Sequence, residues 1–411
     1  MNKWTVMLSC FACLSVLMPT AVNAQYSKIG FGDLGITPSL GLKGMYDDNI
    51  YLVNGSDSEG EEKESDFITH LLPEVIFNYD LPDRGGLTID YRGDLATYSS
   101  NSSNNWQTHQ ARLDLQYLAP IGLVGDFGLG YTDAEDPYGN IENFRIGQTT
   151  ERTYKDVNLS VGYDFTNIFK VTLFYSRYIQ DYALERDYTQ DYEADEWGFG
   201  IQRRLLPKTW GVFRYLYGSR DYVTHPSGTG VSEANDSDFD WHAMYVGLTW
   251  DIGAKLNGEI NLGYEWRSHQ NSVDARGNRY KDKNTWISST QVSFQATPTS
   301  AIALGVTRGL RQTGSDTNEY FEDTGIGINF RKLITTKYVL TTGMVYGINN
   351  YNLPKSEPRE DNNFELGADL DYEIREWLTA GIGYKYQKND SNYKRYSYTN
   401  NQFGISITAR Y

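Results

Sequence analysis

The feature that most restricts the fold of this 411-residue chain is a two-residue rhythm sustained over unusually long windows. Val157, Leu159, Val161, Tyr163 and Phe165 alternate with Asn158, Ser160, Gly162 and Asp164. Phe364, Leu366, Ala368, Leu370, Tyr372 and Ile374 alternate with Glu365, Gly367, Asp369, Asp371 and Glu373, and Ile260 to Trp266 with Glu259 to Arg267. Successive side chains on a strand point to opposite faces, so each window has one greasy and one polar face. The spacing of three and four that an amphipathic helix needs is missing from these windows. They are also longer than the five or six residues usual in a soluble sandwich.

The connections between windows fall into two alternating classes. Short ones, most carrying Pro, Asn, Asp or Gly, lie near Leu81-Pro82-Asp83-Arg84-Gly85, Ala119-Pro120-Ile121, Leu206-Pro207-Lys208 and Thr297-Pro298-Thr299. Long polar ones run over 47–64, 133–149, 180–191, 223–238, 270–283 and 352–361. Tight turns on one rim and longer loops on the other are the signature of an outer-membrane barrel. Strands are expected from residues near 34, 66, 86, 106, 122, 152, 169, 193, 209, 239, 255, 284, 300, 320, 336, 362, 377 and 397. The prediction is an all-β, antiparallel, up-and-down transmembrane barrel of about 18 strands (16–18), both termini periplasmic.

Composition excludes the main competitors. Aromatics reach 14%, with 33 Tyr, which argues against disorder. The only long apolar stretch is at the N-terminus, so no helical membrane bundle fits. A formal charge of −16 gives a nucleic acid no basic face to bind. Lys3, the apolar run Trp4 to Met18 and Val22-Asn23-Ala24 read as a signal peptide over 1–24, followed by a short periplasmic segment (25–33) and the barrel (34–411). Both cysteines, Cys10 and Cys13, lie in the signal; too few apolar residues precede Cys10 for a lipoprotein signal.

Trp106, Trp197, Trp210, Trp250, Trp266, Trp286 and Trp377 fall near strand ends, where headgroup-level girdle residues stand among the outer-membrane lipids. Phe403, Ile405, Ile407, Ala409 and the terminal Tyr411 alternate to the carboxylate, an ending that resembles the signal read by the barrel-assembly machinery.

A strand spacing of about 4.8 Å and a tilt of about 40° make an 18-strand cylinder roughly 35 Å across, too wide for side chains to fill. The segment before the first strand is too short for a plug, so the lumen is expected to be open or narrowed only by an infolded loop. Parity assigns Asp90, Arg92, Arg112, Asp114, Asp164, Lys170, Glu259, Glu265, Arg267, Glu365, Asp369, Asp371 and Lys385 to its lining, with acids in excess. No Arg or Lys run marks an anion-selective pore. Phe174 and Tyr178, with the loop residues Tyr182, Tyr188 and Tyr192, could offer a sugar aromatic faces and hydroxyls. The acidic run Asp57 to Glu64 lacks the spacing of a calcium loop and reads as a solvated loop. His70, His109, His225, His242 and His269 form no local catalytic or zinc motif, so no catalytic residue, metal or cofactor is assigned.

Gly44-Met45-Tyr46-Asp47-Asp48-Asn49-Ile50-Tyr51, Ser65-Asp66-Phe67-Ile68 running to Pro73, Tyr91 and Tyr98, and Asn401-Gln402 to Tyr411 together resemble the putative β-barrel porin 2 family across the mature chain. The resemblance implies an outer-membrane conduit for a secreted polysaccharide, working with a periplasmic polysaccharide-export lipoprotein. It supplies no pore residues, and the Asp-Asp-Asn element is read as shaping a rim turn rather than touching sugar. A diffusion porin for small solutes or oligosaccharides, a structural or adhesive barrel with a blocked lumen, and an outer-membrane hydrolase are the competing readings.

Overall fold

The computed structural model describes residues 29–411 except 56–61, 121, 138–148, 166, 224–230, 253–254, 313–319 and 353–356. The signal-peptide reading, His225 and most of the acidic run from Asp57 lie outside the described residues.

The strands in chain order are β1 (Ile29–Phe31), β2 (Leu34–Asp47), β3 (Asp66–Leu81), β4 (Gly85–Tyr98), β5 (Trp106–Leu118) and β6 (Leu123–Asp136). Then come β7 (Thr150–Phe165), β8 (Phe169–Tyr182), β9 (Tyr192–Leu206), β10 (Thr209–Tyr222), β11 (Phe239–Ile252), β12 (Leu256–His269) and β13 (Lys283–Thr297). The last are β14 (Ser300–Gln312), β15 (Tyr320–Leu333), β16 (Tyr338–Asn352), β17 (Arg359–Arg375), β18 (Leu378–Ser391) and β19 (Tyr398–Arg410). Each of β2 to β19 pairs antiparallel with its chain neighbours, and β19 pairs with β2, which closes an 18-strand barrel.

The expected strands are all present; the largest departure in a start is β17, expected from 362 and beginning at Arg359. The expected short N-terminal segment contains one more strand. β1 folds back on β2 through Gly32-Asp33, in the register Ile29↔Ile36 to Phe31↔Leu34. β19 reaches only Ser39 on that edge of β2, so β1 covers backbone that would otherwise be unpaired. Tyr182 and Tyr192 close β8 and open β9 rather than lying in the loop, and Tyr188 sits in the 3₁₀ turn Glu185–Gln190 between them.

Alternation gives the barrel an apolar exterior. Leu366 lies between Met344 of β16 and Tyr386 of β18, and Leu366 and Met344 are exposed at 41% and 43%. Around the seam Ile405 and Ile407 of β19 meet Gly44 and Leu42 of β2 on that same greasy face. Exposure of large apolar side chains in this belt is the expected state in hydrocarbon. The short turns are chemically specific. Asp83 has φ 60° and Gly85 φ 106°, and a Cβ on Gly85 would collide with the Gln116 carbonyl of β5, so the turn demands glycine there.

Five of the seven expected girdle tryptophans, Trp197, Trp250, Trp266, Trp286 and Trp377, have outward parity or sit in a short turn. Trp106 and Trp210 do not. Trp106 pairs with inward Ala96 and packs on a buried cluster with Ile50, Ile68 and Tyr98, while Trp210 lies inside beneath Lys170 and Arg204. Proximity to a strand end cannot decide the face; parity can.

At the long-loop rim the β10–β11 connection is tied down by carboxylates. The Tyr222 N–H donates to Asp238 Oδ1 at 2.7 Å, and Asn271 Nδ2 donates to Asp236 Oδ1 at 2.6 Å. Burial pushes the Asp238 carboxyl up to about 7, helped by the neighbouring carboxylates of Asp236 and Asp221. A carboxyl raised in the folded state binds its proton more tightly there than in the open loop, so its stabilisation is full below about pH 4 and declines as pH climbs toward 7. Limited proteolysis of this connection, normalised to cleavage of an unfolded peptide, is therefore expected to be slower at pH 5 than at pH 8. Asp238→Asn keeps the acceptor for Tyr222 and should abolish the difference; a difference that persists in the variant rejects Asp238 as its source.

Candidate functional site: the lumen wall

Much of the inward face is polar, and many of its charges are held in pairs. Arg92 Nε approaches Glu74 at 3.2 Å and Asp90 at 3.5 Å, and Glu74 also receives Arg410 from across the seam. Arg112 pairs with Asp114 at 2.8 Å and Asp156 at 3.4 Å, Lys170 with Asp164 at 3.3 Å, Arg267 with Glu265 at 2.8 Å and Lys385 with Glu365 at 2.9 Å. The parity-assigned residues thus fall into separate groups around the wall. Glu365, Asp369, Asp371 and Lys385 share a cavity of about 1070 Å³, while Glu259, Glu265 and Arg267 line a smaller one of about 200 Å³.

Around the large cavity the expected acid excess is not found. Its lining carries five acids, Asp136, Asp361, Glu365, Asp369 and Asp371, and seven bases, Lys43, Arg152, Arg311, Arg359, Lys385, Lys388 and Arg395. Arg152 Nε donates to Asp136 at 2.5 Å, Arg359 Nε to Asp361 at 2.9 Å, and Arg311 pairs with Asp323 at 2.9 Å. These bases form no run in the sequence: Lys43, Arg152, Arg311 and Arg359 come singly from β2, β7, β14 and β17, Lys385 and Lys388 from β18 and Arg395 from the turn after it, and they meet only when the sheet closes. Inward Gly343 and Gly367 of β16 and β17 keep part of this cavity's wall thin.

The other side of the lumen is lined by apolar rings lying close to the wall. On β11 Phe239, Trp241, Ala243 and Tyr245 face inward, although Met244, Val246 and Leu248 face lipid. Apolar residues on both parities of one strand were the available signal for this lining. Glycine makes room for it. A Cβ at Gly218 would collide with the Trp241 ring, and one at Gly263 would stand 2.8 Å from the Tyr245 ring and 3.0 Å from Ile287. Phe174 of β8 lies over Gly200 in the same way, and Leu216, Ala243 and Ile287 form a buried cluster beside Tyr245. Phe174 and Tyr178 are inward as expected, and both are nearly covered, at 8% and 7% exposure. Arg220 stands 3.9 Å from the Tyr192 ring and Arg267 4.3 Å from the Phe239 ring, so the aromatic surface also holds cations.

The histidines are dispersed. His70 is inward with Nδ1 2.8 Å from Asp94, His109 and His242 meet the hydroxyls of Tyr91 and Tyr215 on the lipid face, and His269 stacks on Tyr280. Among the described residues no three His, Cys, Asp or Glu side chains are placed to hold a metal.

A closed 18-strand antiparallel cylinder, apolar outside and with a cavity lined by charged and polar groups within, defines a pore-type β-barrel of the bacterial outer membrane. The chain belongs to the putative beta-barrel porin 2 family, whose model matches residues 27–411. No curated protein sequence matches it. Among solved structures it is similar to a bacterial polysaccharide outer membrane secretin (8% identity, 91% of this chain and 98% of that one, TM-score 0.35). It is also similar to Pseudomonas aeruginosa OccK2 (OpdF) (9%, 92% and 97%, TM-score 0.47) and to OpdK of the same organism with vanillate (11%, 92% and 99%, TM-score 0.45).

Proposed function

We propose that this barrel is a passive outer-membrane conduit through which a polysaccharide is exported. The observation that carries the reading is the large cavity of about 1070 Å³, in whose wall Asp136, Asp361 and Glu365 are each paired with a base of the same wall, Arg152, Arg359 and Lys385. A carboxylate already satisfied by a neighbouring guanidinium or ammonium has little to offer a passing chain. What remains are amides, hydroxyls and exposed backbone, which hydrate a polar polymer and release it again, as conduction requires. In this reading the short turns and both chain ends face the periplasm, where a polysaccharide-export lipoprotein meets the rim, and the long connections face outward. The strand ending at Tyr411 is the one the barrel-assembly machinery engages.

Deleting the gene and comparing cell-associated with secreted polysaccharide tests the proposal. Retention of polymer by the mutant is expected, and unchanged secretion rejects export. An oligosaccharide diffusion porin is the second reading, favoured by the small aromatic cavity; it predicts unchanged secretion with slowed oligosaccharide uptake.

A further inference from the structure

We infer that the small cavity between β9 and β14 is a binding subsite for one pyranose residue, a stopping point for a glycan against the lumen wall. The inference rests on the carbohydrate reading of the pore, and adds to it a place and a set of contacts.

At about 200 Å³ the cavity is smaller than the pockets that enclose drug-sized ligands, which suits a single six-membered ring. Its apolar side is built from Trp241, Tyr245 and Ile287. The Trp241 ring is pressed against Gly218 and the Tyr245 ring against Gly263, an arrangement that leaves the faces turned from those glycines toward the lumen. The axial C–H groups of a pyranose pack on such faces while its hydroxyls point sideways to hydrogen-bonding groups. Those groups are present: Glu196, which accepts from Trp241 Nε1 at 3.3 Å, and Glu265, Arg267 and Gln291 line the same space.

Arg267 is the second, independent sign of a ligand. Its side chain is 7% exposed; Nε and Nη2 both donate to Glu265 Oε1, and Nη2 also to the Leu310 carbonyl at 3.2 Å. Nη1 is buried and finds no acceptor among the described residues. A buried guanidinium N–H without an acceptor is costly, and a small turn of the Arg267 side chain into the cavity it lines would bring Nη1 to an oxygen of a bound sugar. Stacking face, flanking carboxylates and unfilled donor in one ring-sized space together describe a saccharide site.

The test is sugar-induced block of single channels formed by the full-length protein in planar bilayers, with linear glucose oligomers and glucuronate as probes. Concentration-dependent block by at least one probe is expected. Trp241→Ala should raise the half-blocking concentration about tenfold through loss of the stacking face, and Trp241→Phe should fall between it and the wild type. Arg267→Gln, which removes the unfilled donor, should weaken block independently. Heat-modifiable mobility shows whether each variant has folded, and if Trp241→Ala does not fold the other two carry the comparison. A wild-type channel that no probe blocks, or block unchanged in Trp241→Ala and Arg267→Gln, overturns the subsite. Lost secretion in the deletion strain with no sugar block removes the subsite alone. Intact secretion with sugar block removes the export reading and leaves the subsite standing.

Discussion

Gly367→Trp is expected to cut single-channel conductance by roughly half while Leu366→Trp, one residue away, leaves it unchanged. Gly367 stands at the middle of β17, paired with Gly343 on one side and Lys385 on the other, and it lines the large cavity. A Cβ built there meets nothing nearer than the Tyr384 carbonyl oxygen at 4.0 Å, so a large side chain can enter the lumen without displacing the wall. Gly343 is less suitable, because a Cβ there would stand only 2.5 Å from Asn329 Oδ1. The indole at 367 would occupy the space through which ions and solute pass, at the depth where no loop can compensate. Leu366 is 41% exposed on the outer belt, and a tryptophan there exchanges one lipid-facing apolar group for another. The pair also tests the register of the whole sheet, since a slip by one residue would exchange their roles. Conductance measured on purified protein in planar bilayers reads both variants. An equal effect of the two, or a loss only in Leu366→Trp, would reject the inside–outside assignment and the channel with it.

The barrel was legible because its information is local. A period of two, a turn signal and a long polar connection can each be read without knowing what lies opposite, and they located β2 to β19. β1 was missed because three residues are too few to show a rhythm; Ile29 to Phe31 become a strand only because the β19 ladder stops at Ser39 of β2 and leaves backbone uncovered.

The site was legible in its parity and not in its grouping. Inward placement of Glu365, Asp369 and Lys385 follows from Phe364 and Leu366 facing lipid. That Lys385 neutralises Glu365, or that Arg152 and Arg359 share one cavity, depends on which strands become neighbours and how the cylinder closes. Trp241 shows a second limit. An apolar residue at polar parity looks like noise in one strand, and its meaning appears only when Gly218 of β10 and Gly263 of β12 are found beside β11, making room for the rings.

The family-like elements at the two ends of the chain gain a physical purpose once the barrel closes, and replacing Asp47 and Asp48 together with alanine should lower barrel stability by about 3 kcal/mol. Every other junction in the barrel joins strands that a connection already holds together, whereas β2 and β19 are brought together from opposite ends of the chain. That seam spans nine register pairs, from Gln402↔Asp47 to Arg410↔Ser39, against fourteen between β2 and β3, so it needs other fastenings. Asp48 accepts the Asn401 N–H and the Asn401 Nδ2, each at 2.7 Å. Asp47 accepts Gln402 Nε2 at 2.7 Å, Asn400 Nδ2 at 3.3 Å and the Asn49 N–H at 2.8 Å. Asn49, fully buried, donates to the Thr399 carbonyl at 2.8 Å and to that of Val53 at 2.9 Å, which folds the following connection over the junction. The Asp-Asp-Asn element therefore shapes the rim, as its position predicted, and in doing so fastens the first strand to the Asn-Asn-Gln of the last. Alanine at both aspartates leaves buried amide donors without acceptors, a loss larger than that of the bonds alone. The double variant should convert from the compact to the unfolded form at a lower temperature in heat-modifiability gels and unfold faster in urea. Asp90→Ala, at a junction between chain-adjacent strands, should cost clearly less; a double variant as stable as the wild type would show that the seam is held by the backbone ladder alone.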